Sequence, residues 1–215
     1  MNFLKRILFL ALIALSINSV ALAGLIEDHA VVAVMDFGTH PGAATCDVAL
    51  ANAEKMSSEY IITKLINDGK MDVMDKDMVK HKLDVAHIKT EGLIDPDSAK
   101  VIGETLKCKY LIYGNVNDVT VSNTGVNTIF NNVDVCTVKS HIIARIMDVS
   151  TGTIVMAAKG EGVSKSSLVD INTLNAGITI GAVKVTQESV HNAIQKAAYN
   201  AVEILENRLY GKQKK

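Results

Sequence analysis

Apolar and polar positions along the chain follow first a helical period interrupted by short strands, and then a period of two. Residues 30–36 (AVVAVMD) form a short, nearly continuous apolar run, which fits a strand covered on both faces. The next six residues, FGTHPG (37–42), predict a loop. Over residues 47–68, Ala49, Ala53, Met56, Tyr60, Ile61 and Leu65 recur at helical spacing, and Gly69 stands where a helix C′ residue belongs. Residues 71–74 predict a second short strand, and residues 77–89 a second helix. Asp95 followed by Pro96 predicts a third helix starting at the proline, with Ala99, Ile102 and Leu106 on its buried side. Residues 109–116 (KYLIYGNV) return to strand.

Beyond this point the pattern becomes β. Val133, Val135 and Thr137 alternate with polar neighbours, and the run grows more apolar through Ile142, Ile143 and Ile146. Residues 150–152 predict a turn and 153–163 its partner strand, which together make a hairpin. Residues 187–210 predict a long closing helix with Val190, Ala193, Ile194, Ala197, Ala201, Ile204 and Leu205 on its apolar face. Gly103 and Gly114 are expected where a helix and a strand, or two strands, approach closely. The whole predicts one α/β (α+β) domain, three-layer-like, in which a mixed β-sheet is flanked by helices.

The first 23 residues read as an address. Lys5 and Arg6 precede an apolar run from Ile7, and the segment closes on VALA (20–23). This pattern predicts a secretory signal peptide, with cleavage between Ala23 and Gly24 and a single domain over 24–215. The apolar stretch is broken by Ser16, Asn18 and Ser19 and falls short of the ~20 residues a membrane helix needs. Leu25 stands where a lipoprotein box would need its cysteine, so ordinary cleavage without acylation is expected.

Export changes the meaning of Cys46, Cys108 and Cys136, because an odd number of cysteines in an oxidising compartment leaves at least one thiol unpaired. The parallel strand-helix-strand path puts Cys46 and Cys136 towards one end of the sheet and Cys108 at the other. Any disulfide is therefore expected to join Cys46 to Cys136; three buried thiols are the alternative.

Composition narrows function mostly by exclusion. Of 215 residues, 22 are Lys or Arg and 23 are Asp or Glu, so the basic excess of a nucleic-acid binder is missing. There is no Trp and only 4% aromatic residues, which leaves little for stacking bases or sugars. DFG (36–38) matches the kinase magnesium tripeptide, but no glycine-rich loop or catalytic-loop motif accompanies it. GEG (160–162) lacks the third glycine and strand-to-helix setting of a dinucleotide fingerprint. No C-x-x-C occurs, and His81 and His87 are not spaced to share one helix face. No catalytic residue, cofactor, metal or small-molecule substrate is nominated, and a non-enzymatic protein is expected.

Four segments in order carry a family resemblance: VVAVMDF (31–37), MDVMDK (71–76), IGETLKCKYLIYGNV (102–116) and ARIMDVSTGTI (144–154). Together they resemble the CsgG-like curli production assembly/transport family, across most of the chain. The first three are shared more loosely with outer-membrane activators of penicillin-binding proteins. The resemblance implies a periplasmic domain that, in the best-known members, forms a ring under the outer membrane and passes unfolded curli subunits through a β-barrel. The expectation is a homo-oligomer on the periplasmic side of the outer membrane, working on secreted, amyloid-type fibre subunits. The alternative is a non-channel periplasmic adaptor that binds an envelope partner such as a peptidoglycan synthase.

Channel-forming members carry two membrane hairpins per subunit. The corresponding stretches here are 119–135 and 163–185. The first is rich in asparagine and cannot supply two strands of roughly 9–11 residues without borrowing from the sheet. The second alternates well: Val169 and Ile171 against Asp170 and Asn172, then Ile178, Ile180, Val183 and Val185 against Thr179 and Lys184. These six apolar residues, with Ile129 and Phe130 as companions, are the candidate assembly or membrane surface. The alternative is that they pack on the domain's own core.

Overall fold

The computed structural model describes residues 29–40, 52–89, 94–127, 131–171 and 187–211. The elements in chain order are β1 (Val31–Val34), β2 (Gly38–Thr39), α1 (Ala53–Asp68), β3 (Asp72–Val73), α2 (Lys76–Val85) and α3 (Pro96–Leu106). They are followed by β4 (Tyr110–Asn127), β5 (Asn131–Asp148), β6 (Thr153–Ile171) and α4 (Gln187–Leu209). The sheet order is β3-β1-β4-β5-β6, with β2 also paired to β4. β3, β1, β2 and the start of β4 run parallel, whereas β4, β5 and β6 form an antiparallel meander.

Local signals account for the helix ends. Gly69 takes φ +65° and its N–H returns to the Leu65 carbonyl, which stops α1. The Asp75 carboxylate caps α2 by accepting from the Met78 N–H, and Asp95 caps α3 by accepting from the Asp97 and Ser98 N–H groups. α2 stops at Val85, four residues before its expected end, because His87 turns left-handed at φ +56°. The predicted loop over 37–42 also needs correction: Phe37 is buried, and Gly38 and Thr39 pair with Asn115 and Val116 as β2.

The sheet separates two apolar layers. On one face Val32, Val34, Ile112, Ile142 and Ile146 meet Ile61 and Leu65 of α1 and Ile194 and Leu205 of α4. On the other Ala33, Leu111 and Met147 meet Val79 and Leu83 of α2 and Ile102 and Leu106 of α3. This is the three-layer α+β arrangement that the sequence pattern predicts. The two anticipated close approaches are present. A Cβ on Gly103 would stand 2.3 Å from Val149 Cγ2, and one on Gly114 1.9 Å from the Ile143 carbonyl oxygen.

Candidate functional site

The feature with the greatest reach is the β4–β6 meander. β4 does not end near Val116 as expected. It bulges between Val116 and Asp118 and stays paired with β5 until Asn127 faces Asn132. The Asn-rich stretch does borrow from the sheet. Asn123, Cys136 and Ser166 lie in one row across the three strands, and Cys136 is fully buried there. Past that row β5 and β6 each continue for residues 131–135 and 167–171, about 17 Å of ribbon at ~3.4 Å per residue.

The register sets Val169 opposite Val133 and Ile171 opposite Asn131, at the end of the sheet where β4 passes into β5. The candidate residues Ile129, Phe130, Ile178, Ile180, Val183 and Val185 lie outside the described residues, as do Ala23, Gly24 and Cys46. Cys108 and Cys136 are buried free thiols, and burial pushes the Cys108 thiol up. Both described chain ends sit at the opposite pole of the sheet. The His29 N–H and the Tyr210 hydroxyl both donate to the Lys70 carbonyl, at 3.1 and 3.2 Å.

α4 covers one face of the meander at very short range. A Cβ on Gly162 would stand 1.9 Å from the Ala193 carbonyl oxygen and 2.5 Å from the Ala197 nitrogen. One on Gly160 would meet the Ala197 carbonyl oxygen at 2.0 Å. The GEG motif, dismissed as a nucleotide fingerprint, is a seat for a helix. Two glycines on alternate strand positions face alanines spaced by four along α4, and that pairing is the signal that could have revealed it.

The other face of the meander carries a polar row. The bulge brings Asp118 opposite His141, which lies opposite Glu161. His141 Nδ1 is 2.7 Å from Asp118 Oδ1 and Nε2 is 3.5 Å from Glu161 Oε1. The Lys159 hydrogen bond and charge, with His141 beside it, hold the exposed Glu161 carboxyl below the usual range. At such exposure these pairs set register more than they add stability. No spacing rule in one dimension could have found this row.

A cleft of about 450 Å³ opens at the C-terminal end of β1, between α1 and α2. Here the chain passes from a helix on one face to a helix on the other, the switch point at which open α/β sheets tend to bind ligands. Val34, Met35, Val79 and Leu83 form its floor. Lys76 crosses it, 2.8 Å from both Asp36 Oδ1 and Glu59 Oε1. Burial opposes its charge, but the hydrogen bonds to Asp36 and Glu59 outweigh burial and raise the Lys76 pKa. Ser58 donates to the same Asp36 oxygen at 2.8 Å. Asp36 of the DFG tripeptide thus serves as an anchor tying β1 to both helices. Among the described residues no group of three His, Cys, Asp or Glu side chains could hold a metal ion, and no helix is long and apolar enough to cross a membrane.

The family model for the curli production assembly/transport component CsgG matches residues 16–214. The chain belongs to this family. Membership supports envelope association for this CsgG-family protein. No curated protein matches it. Its fold is similar to the LpoB C-terminal domain from Salmonella enterica, at 16% identity and TM-score 0.42, over 65% of this chain and 86% of that one. The hypothetical protein CT253 from Chlamydia trachomatis is similar at 10% identity and TM-score 0.45, over 85% and 96%. The PelC dodecamer from Paraburkholderia phytofirmans is similar at 12% identity and TM-score 0.40, over 83% and 93%.

Proposed function

We propose that this CsgG-family chain is a non-enzymatic assembly or transport component for secreted, amyloid-type fibre subunits. It works as a homo-oligomer on the periplasmic side of the outer membrane, reached through the signal peptide of residues 1–23. The β4–β6 ribbon and the segment after it form the surface that meets the next subunit or the membrane. The observation that carries this reading is the ribbon itself. Three paired strands continue past the row of Asn123, Cys136 and Ser166, at the pole opposite the described chain ends. β6 is the last strand in the sheet order among the described residues, and an edge strand is suited to pairing with another surface.

Sedimentation of the exported protein in plain buffer and in detergent tests this, with Ile178→Ser/Ile180→Ser as the comparison. The expected result is an oligomer in at least one medium that the double variant loses while keeping the wild-type melting temperature. A wild-type monomer in both media refutes the assembly reading and favours the adaptor that binds an envelope partner. A double variant that melts early places these side chains in the domain core instead.

A further inference from the structure

We infer that Glu206, Asp68 and Lys70 form an acid-strengthened clasp that fastens the C-terminal turns of α4 to α1. Glu206 is 6% exposed, yet only one of its carboxylate oxygens is satisfied. Oε2 accepts from Lys70 Nζ at 3.0 Å, whereas Oε1 is buried without a hydrogen-bond partner. A buried acceptor without a partner is costly, and few persist in folded proteins.

The neighbours explain how this one is resolved. Asp68, the last residue of α1, faces Glu206 closely enough for a hydrogen bond between the two acids. Such a bond requires one of them to hold a proton. Asp68 is already engaged by Lys64 Nζ at 2.6 Å on both oxygens. The proton therefore belongs on Glu206, whose carboxyl then donates to Asp68. It comes from solvent, and no other bond changes. Lys70 completes the group: its ammonium lies 5.4 Å from the Tyr210 ring centroid, and its carbonyl accepts from the Tyr210 hydroxyl. The charged groups facing the site are thus Lys64 and Asp68 from α1, Lys70 from the turn, and Glu203 from α4 itself, which acts on Lys64.

Burial lifts the Glu206 carboxyl above its ordinary range, the Lys70 hydrogen bond opposes that lift, and the Asp68 charge adds to it. An acid whose folded pKa is raised is more readily protonated folded than unfolded. Stability therefore falls as pH rises from the unfolded value through the folded one, and the clasp is tightest in mild acid.

The test uses the full chain, with denaturant unfolding between about pH 5 and pH 7.5 and amide exchange read over residues 203–209. Wild type should lose stability relative to Glu206→Gln as pH rises. The unfolding constant changes tenfold for each unit separating the folded and unfolded pKa. Exchange at 203–209, corrected for its intrinsic pH dependence, should quicken in step for wild type alone. Lys70→Met, which removes the ammonium facing Oε2, should steepen the dependence and move it to higher pH. Parallel curves for wild type and Glu206→Gln overturn the clasp. So does a Lys70→Met curve that matches wild type.

Discussion

Gly162→Ala is the sharpest perturbation of the contact between α4 and the meander. The added Cβ would stand 1.9 Å from the Ala193 carbonyl oxygen, where ordinary contact begins near 3.4 Å, so about 1.5 Å must be found by moving strand from helix. Neither side can yield locally, because the atoms met are backbone on both elements. Moving α4 loosens Ile194, Ala197, Ala201 and Leu205, all buried against the sheet. A gap of 0.5–1 Å already forfeits roughly a quarter to a half of a contact's dispersion energy. Overpacking of this kind costs about 1–3 kcal/mol. Removing a glycine from a strand interior returns about 0.5–1 kcal/mol. The net expectation is a loss of about 1 kcal/mol, a fall in Tm of about 2–4 °C for a domain of this size. Thermal melting followed by circular dichroism reads it directly. Glu161→Ala, exposed and between the two glycines, is the control and should melt close to wild type. Adding Ala193→Gly should give no rescue, since the obstacle is a carbonyl rather than a methyl. Restored stability in that double variant, or a Gly162→Ala protein that melts like wild type, would refute the reasoning.

Gly103 offers the opposite case, because its Cβ would meet the side chain of Val149. Gly103→Ala should destabilise by about 1–3 kcal/mol and be largely rescued by Val149→Ala, a coupling that a double-mutant cycle in urea measures. Asp95→Ala removes the acceptor for two α3 amides and should lower the urea midpoint in the same assay. Ile142→Ala empties a fully buried site between sheet and helix and should cost about 2–5 kcal/mol. Asp148 is held below the usual carboxylate range by the Ser150 hydroxyl and the Ser150 and Thr151 amides. Its contribution is present above the unfolded pKa and lost as pH falls through the lowered folded value. In an acid titration followed by circular dichroism, Asp148→Ala should therefore flatten the loss of stability below about pH 4.

The residue order by itself determined the parts of this protein that depend on near neighbours. Gly69 ends α1 because it accepts positive φ, and Asp95 with Pro96 starts α3 because they satisfy or lack the first amides. The DVSTGT turn closes because Asp148 reaches the amides of Ser150 and Thr151, with Gly152 at φ +68°. The apolar runs at β1 and the start of β4 announced strands buried on both faces. Gly103 and Gly114 announced close contacts without saying with what.

Only the tertiary structure decided how far the strands run. Residues 118–127 carry too few apolar side chains to read as a strand, and they become one because β5 supplies a partner for each residue in turn. The same holds for Gly38 and Thr39, which β4 recruits into the sheet. The seat of α4 on Gly160 and Gly162, the Asp118–His141–Glu161 row and the group around Glu206 join residues from different elements, most of them distant along the chain. One bulge between Val116 and Asp118 sets Asp118 rather than Asn117 opposite His141. Such choices rest on register and on the packing of one layer against another, and these depend on the summed fit of distant surfaces rather than on any local preference.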